Sequence, residues 1–330
     1  MNTVWSRRRA VSWFLVGLLG TAAAGTACSP SAGTGSAPVV KLAFVTNNAS
    51  EFWKIAAAGV RKYEAEGRVQ VDVKMPPNGT PEEQNQIIEN LASQGYQGIA
   101  VSAVAPNDQV PVLNRVAAKT ALITFDSDAP ASNRLLYIGT NNYEAGRVLG
   151  GEIVKLLPSG GNMAVFVGTL SADNAAQRFK GIQDAVAGHR IVVVDRREDG
   201  TDRAKARSNV EDMINAHRDL NLVVGLWSYN GPAIAAAIES LGKKGKVLAA
   251  VFDEEAGTLQ AVANGTVAVT VVQKPFEFGY LASKWMHDLA TKGDAARAAI
   301  PPTRMIDTGV QVITRDNVAE FSKQLAALTQ

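Results

Sequence analysis

Two aspartates carry the most pointed chemistry in this sequence. Asp126 closes the run Ala121-Leu-Ile-Thr-Phe-Asp126, and Asp253 closes Val247-Leu-Ala-Ala-Val-Phe-Asp253. In each run an apolar-rich stretch reads as a buried parallel strand, with Phe-Asp at its carboxyl end and an acidic, small-residue loop beyond. Ligands of open α/β sheets bind in the crevice outside the carboxyl ends of the strands. An ionised carboxylate only accepts hydrogen bonds, so each aspartate suits two neighbouring hydroxyls. One such carboxylate from each half of the chain implies a ligand clamped from both sides. The neighbouring Asp128, Glu254 and Glu255 read instead as helix caps or solvated loop ends.

Other polar residues fall at comparable places. Asn47-Asn-Ala-Ser-Glu-Phe-Trp53 follows the first strand and combines a polar rim with two flat apolar side chains. Sugars have apolar faces and polar edges, so Phe52 and Trp53 could stack on one; equally they read as a hydrophobic staple and core residues. Arg178 lies on a helix, where its guanidinium fork could donate to hydroxyls or face solvent. Asn230 stands at a strand-to-helix junction, as a hydroxyl partner or an N-cap. Gln273 ends a strand beside Lys274-Pro275. Asn141 and Asn142 read as caps at a domain crossing.

The elements that must hold these residues alternate along the chain. Strands are expected at 41–46, 69–73, 98–102, 121–125 and 135–138, with helices at 51–66, 80–93 and 107–119 between them. Thr80 caps its helix, Pro81 takes the first position, and Glu82 and Glu83 suit the positive end of the dipole. The second half repeats the scheme with strands at 162–167, 190–195, 222–226, 247–252 and 268–272. Its helices fall at 143–157, 174–187, 202–216, 231–241 and 255–263. A long helix at 276–292, an extended stretch at 303–312 and a helix at 316–328 complete the chain. The pattern is α/β and doubly wound.

With 330 residues, 46% hydrophobic and 19% charged, the chain is globular and long enough for two cores. Its N-terminus reads as an export signal over residues 1–27: Arg7-Arg8-Arg9, then the apolar block Trp13 to Leu19, too short and glycine-broken to span a membrane. The triple arginine also permits a twin-arginine route, though Ala10-Val-Ser12 matches it poorly. The only cysteine, Cys28, falls at the cleavage point in Gly25-Thr-Ala-Cys28. That motif is similar to a bacterial lipobox, with Gly25 in place of the usual leucine, and Cys28 is the expected lipidation site. Residues 28–38 form a flexible Ser/Gly/Ala/Pro tether. With Arg7, Arg8 and Arg9 set aside, 30 basic residues face 31 acidic ones, and no basic patch implies nucleic acid. There is no P-loop, no Gly-x-Ser-x-Gly and no metal-spaced histidine cluster, since His189, His217 and His287 are scattered. No metal, no cofactor and no catalytic residue is expected.

Taken together, these residues resemble bacterial periplasmic sugar-binding proteins of the ribose-binding type, which feed ABC importers. The markers are Phe52-Trp53, Ile123-Thr-Phe-Asp126, Gly139-Thr-Asn-Asn-Tyr-Glu-Ala-Gly146, Arg178 with Gly181, Asn230, Val251-Phe-Asp253 and Gln273. The resemblance spans Val39 to about Leu325 and implies two Rossmann-like lobes, each a doubly wound parallel sheet flanked by helices, joined by a three-crossing hinge. The lobes would be 39–140 plus 274–303 and 141–273 plus 304–330, with crossings near Thr140–Asn142, Lys274–Pro275 and Arg304–Asp307. Phe52 and Trp53 would stack on a monosaccharide, and Asn47, Ser50, Asp126, Arg178, Asn230, Asp253 and Gln273 would bond its hydroxyls. Ser127 stands where ribose binders carry an arginine and Thr201 where they carry an aromatic, which moves the expectation away from ribose itself. The implied protein is a monomeric, membrane-anchored lipoprotein that delivers its sugar to an ABC permease and is not an enzyme. A carboxylate-pair hydrolase, a ligand-sensing repressor core and a receptor presenting a non-sugar or signalling ligand to a membrane sensor are the competing readings.

Overall fold

The structure is a computed structural model that describes residues Val40–Thr329. The signal segment (1–27), Cys28 and nearly all of the region preceding the first strand lie outside the described residues. The chain first runs through β1 (Lys41–Val45), α1 (Glu51–Gly67), β2 (Gln70–Lys74), α2 (Pro81–Ser93), β3 (Gly98–Val101), α3 (Val110–Ala117), β4 (Ala121–Phe125) and β5 (Tyr137–Gly139). It then crosses over into α4 (Asn142–Leu156), β6 (Gly161–Val167), α5 (Asp173–Val186), β7 (Ile191–Glu198), α6 (Arg203–Ala216) and β8 (Leu220–Gly225). The same lobe continues with α7 (Asn230–Ser240), β9 (Leu248–Phe252), α8 (Ala256–Asn264) and β10 (Val269–Val272). Last come α9 (Pro275–Lys292), α10 (Asp294–Ala298), β11 (Met305–Asp307), β12 (Gln311–Thr314) and α11 (Val318–Thr329).

Two six-stranded sheets result, ordered β11-β5-β4-β3-β1-β2 and β12-β10-β9-β8-β6-β7. The orders are superposable, with β4 answering β9 and β1 answering β6. Alternation along each strand explains why both faces are covered. In the first sheet Phe44 and Phe125 pack under α1 and α9, while Val45 and Leu122 pack under α2 and α3. In the second, Val165 and Phe252 pack under α4 and α5, while Phe166 and Val251 pack toward α7 and α8. Helix starts follow local chemistry: Thr80 Oγ1 accepts from Glu83 N at 3.2 Å, Asn141 Oδ1 from Glu144 N at 3.2 Å and Asp202 from Ala204 N at 2.8 Å.

Four expectations are corrected. β11 pairs in parallel with β5, Met305 opposite Tyr137 through Asp307 opposite Gly139, so these residues belong to the first sheet. The third crossing therefore falls at 308–310 rather than at Arg304–Asp307. The stretch 303–312 is not one extended segment because Gly309, at φ +68°, divides it into strands of different sheets. The second sheet is also not wholly parallel, since β12 runs antiparallel to β10. The chain leaves the first sheet at its carboxyl edge and enters the second at the same edge, with no helix between to reverse it. Lastly, the helix expected from 107 begins at Val110, because Gln109 turns its side-chain Oε1 back to Ala105 N at 2.8 Å.

Candidate functional site

Asp126 and Asp253 occupy equivalent places, directly after β4 and β9. Both have left-handed backbone, at φ 55° and 68°, a conformation aspartate tolerates better than most residues. Each backbone N–H donates to the adjacent strand, Asp126 N to Ile138 O at 3.2 Å and Asp253 N to Val271 O at 2.9 Å. Each carbonyl accepts a hydroxyl from that same strand. Tyr137 Oη donates to Asp126 O at 2.9 Å, and Thr270 Oγ1 to Asp253 O at 2.7 Å. Tyr137 and Thr270 are thus paired supports for the two carboxylates. No motif in the sequence marked either, although each lies one residue before the strand residue whose carbonyl receives the aspartate N–H.

Around Asp253 the second lobe assembles two of the expected residues. Gln273 Nε2 donates to Asp253 Oδ1 at 2.9 Å, and Arg178 Nη1 lies 3.8 Å from Asp253 Oδ2. Arg178 is 2% exposed, which removes the solvated-face reading. Its Nε donates to Asn142 Oδ1 at 2.9 Å, its Nη1 to Leu226 O at 2.7 Å, and its guanidinium lies 4.4 Å from the Phe252 ring centroid. Asn142 is therefore a partner of Arg178, and Asn141 alone caps α4. Asn230 is fully buried: Trp227 N donates to its Oδ1 at 3.0 Å, and its Nδ2 donates to Asp199 Oδ2 at 3.2 Å. Tyr229 Oη also donates to Asp199, a buried carboxylate that sequence reasoning did not single out.

In the first lobe Ser102 Oγ donates to Asp126 Oδ2 at 2.9 Å. Burial pushes the Asp126 carboxyl up to about 6, against the Ser102 hydrogen bond and the charge of Arg178, while the charge of Asp253 adds to the rise. The influence of Arg178 and Asp253 places all three groups within one electrostatic neighbourhood across the lobes. Burial also raises Asp253, opposed by Arg178 and Gln273, and raises Glu254 well above the carboxylate range, with the Asp253 charge adding to it. Glu254 is not the solvated loop end expected of it: it is 7% exposed and neither carboxyl oxygen has a hydrogen-bond partner. Asp128 departs from expectation too, forking onto Arg134 at 2.6 and 2.5 Å and accepting from Thr124 Oγ1. Glu255 does stay at the surface, where it meets Arg203 at 2.9 Å.

The aromatic expectation changes most. Trp53 is 2% exposed and packs edge-on against Phe125, its Nε1 donating to Asn47 Oδ1 at 3.1 Å. Partly buried Phe52 packs against Trp53 and Phe278. Both belong to the core under β4, and Ser50 is exposed at the start of α1. A cavity of about 380 Å³ opens between the lobes, lined among others by Asn47, Asp126, Thr140, Asn174, Gln177 and Trp227. Its indole wall is thus Trp227, held by a hydrogen bond from Nε1 to Asn174 Oδ1 at 3.2 Å. Arg178, Asn230, Asp253 and Gln273 are buried and do not line it. Buried Gln84 ties the loops after β1 and β3 together, donating to Thr46 O at 2.9 Å and Ser102 O at 2.7 Å and accepting from Val104 N. Among the described residues no group of His, Cys, Asp or Glu is arranged to hold a metal ion.

Comparison with known proteins places this geometry among relatives. Residues 42–294 match the periplasmic binding protein domain. The xylose/arabinose-binding protein XylF of Sulfolobus acidocaldarius is 26% identical over 250 residues, covering 71% of this chain and 60% of that protein. The ribose import binding protein RbsB of Salmonella typhimurium is 26% identical over 220 residues, covering 65% of this chain and 73% of that protein. Among solved structures, an ABC transporter solute-binding protein from Burkholderia graminis in complex with D-arabinose superposes with a TM-score of 0.78 at 32% identity, over 84% of this chain and 96% of that one.

Proposed function

The chain belongs to the periplasmic binding protein family, and from that premise we propose that it is an extracytoplasmic solute-binding lipoprotein. It captures a monosaccharide (a pentose, a hexose or a related polyol) between its lobes and delivers it to an ABC-type importer, performing no reaction on it. The observation that carries this reading is the pair Asp126 and Asp253, held identically at equivalent strand ends of the two sheets. Asp126 with Asn47 on one side, and Arg178, Asp253 and Gln273 on the other, receive the sugar hydroxyls when the lobes part and close again. Asn230 holds Asp199 and the Trp227 backbone, which makes it a positioning residue. The flat apolar surface offered to a sugar ring is Trp227. Asn141–Gln273 with 308–329 form one lobe, and 40–140 with 274–307 the other. Cys28 carries the lipid that tethers the monomer to the membrane.

A sugar lacking one partnered hydroxyl leaves a buried carboxylate unpaired, at about 1–3 kcal/mol. A thermal-shift screen of pentoses, hexoses and polyols is expected to return a stabilising ligand, since whatever binds only the folded form raises Tm. Asp126→Ala and Asp253→Ala are each expected to abolish calorimetric binding of that ligand while the circular dichroism stays native. Unaltered affinity in both variants refutes the site. Cys28→Ser is expected to move the protein from the membrane fraction to the soluble exported fraction; retention in the membrane refutes the lipid anchor.

A further inference from the structure

Asp199 directly follows β7, is 2% exposed and does not line the cavity. Three donors converge on its carboxyl. The Tyr229 hydroxyl and Thr201 N, the latter at 2.9 Å, donate to Oδ1, and Asn230 Nδ2 donates to Oδ2 at 3.2 Å. The backbone here is engaged as well: Asp199 N donates to Val167 O at 3.1 Å and Gly200 N to Gly168 O at 2.9 Å. Asp199 thus ties together the segments that follow β6, β7 and β8.

Trp227, the indole of the cavity wall, is held at three points. Its Nε1 donates to Asn174 Oδ1 at 3.2 Å, its backbone N donates to Asn230 Oδ1 at 3.0 Å, and its ring meets that of Tyr229 edge-on with centroids 6.4 Å apart. The second and third points lead back to Asp199. An ionised carboxyl only accepts hydrogen bonds, so it fixes the Asn230 amide with Nδ2 toward Asp199 and Oδ1 toward Trp227 N. The same carboxyl holds the Tyr229 hydroxyl. A Cβ on Gly168 would stand 2.1 Å from Trp227 Cζ3 and 2.8 Å from Tyr229 Oη, so both rings fill the space a side chain there would need.

We propose that Asp199 is a positioning residue for sugar binding; this rests on the sugar-binding reading above. It touches no ligand. Through Asn230 and Tyr229 it sets where the Trp227 ring stands in the wall, and so sets the affinity for a sugar ring. A ring stacked on an indole gains from many weak atom contacts at once, so a displaced indole forfeits them together. The part played by Asn230 follows from the same arrangement, because its amide oxygen is engaged by Trp227 N and its amide nitrogen by Asp199.

The test is calorimetric titration of the purified protein and its variants with D-arabinose, D-ribose, D-xylose, D-glucose, D-galactose and myo-inositol, following the tightest of them. Asp199→Ala is expected to weaken that ligand roughly tenfold, the scale of an aromatic contact. In a Trp227→Leu background the same substitution is expected to change affinity by under about twofold, because its route to the sugar is already gone. Asn230→Asp sets a second carboxyl against Asp199 and is expected to weaken binding too. Adding Asp199→Asn to it restores one amide facing one carboxyl, with the donor reversed, and is expected to return affinity to within a few fold of wild type. Where Asp199→Ala does not fold by circular dichroism, or Trp227→Leu binds too weakly to titrate, this exchanged pair decides. Unaltered affinity in folded Asp199→Ala, or equal weakening with and without Trp227, overturns the inference and leaves the sugar-binding reading standing. An exchanged pair that stays weak also overturns it, because the Asn230 amide then meets the sugar itself. Failure of the wild type to bind any of these ligands overturns both readings.

Discussion

Burial holds the Asp126 carboxyl up to about 6 when nothing occupies the cleft, from an ordinary value of 3.8. Between those two pH values the folded chain keeps a proton that the unfolded chain has lost. Stability of the ligand-free protein therefore falls as pH rises through this window, by up to about 3 kcal/mol for a shift of this size. Asp253 and Glu254 are displaced in the same direction and add to the trend. Asp126→Asn removes the Asp126 share. Urea denaturation of the two proteins is expected to show the wild type losing stability relative to Asp126→Asn from pH 4 to pH 7; parallel curves would refute it. The same residue shows what local sequence can disclose. Phe125-Asp126 and Phe252-Asp253 are legible as strand ends because a buried strand and its terminal polar residue are adjacent in the chain. The tryptophans are not: Trp53 lies in the first turn of α1, after β1, and Trp227 in the loop from β8 to α7, and only packing decides which one faces the core.

At the scale of elements, the site depends on how closely α4 and α5 approach. A Cβ on Gly181 would stand 2.1 Å from Tyr143 O, and one on Gly146 would stand 2.1 Å from Arg178 O. The first lobe repeats the device with Gly59 against Phe276 O at 2.0 Å and Gly279 against Ala56 O at 1.9 Å. Gly181→Ala forces the helices apart, and overpacking of this kind costs about 1–3 kcal/mol. Because Arg178 rides on α5, the displacement also moves its guanidinium away from Asn142 and Leu226 O. The variant is expected to lower both Tm and ligand affinity; a lowered Tm with unchanged affinity shows that Arg178 does not depend on this contact. The two glycines were visible in the sequence as markers, but the reason for them is a backbone-to-backbone approach between helices about 35 residues apart, which no local pattern reports.

At the scale of the whole molecule, one carboxyl oxygen joins two of the three crossings. Asp307 Oδ1 accepts from Asn141 N at 3.0 Å and from Gly309 N at 2.9 Å, and Thr308 N donates to Gly139 O at 2.9 Å. Arg134 adds a bond to Arg304 O at 2.9 Å, which ties the loop after β4 to the start of β11. Asp307 is exposed, so water replaces its bonds when the carboxyl is removed, and Asp307→Ala is expected to change global stability by under about 1 kcal/mol. The same variant frees the crossings to flex, and hinge closure is the motion this architecture performs around ligands. Small-angle scattering without ligand is expected to show a larger radius of gyration than the wild type; an identical radius with identical affinity refutes the role of Asp307 at the hinge.

What the sequence by itself determined is local: the alternation of strands and helices, the doubly wound α/β class, the internal duplication, and the two Phe-Asp strand ends. These follow from periodicity, caps and strand-terminal residues within a few positions of one another. Tertiary structure alone decided which groups meet. It paired Asp128 with Arg134, buried Glu254, turned Arg178 inward onto Leu226 O, 48 residues away, and drew β11 into the first sheet through Arg304. It gave the cleft Trp227 in place of Trp53. Burial and charge balance are sums over neighbours from distant parts of the chain, so they exist only once the chain has folded.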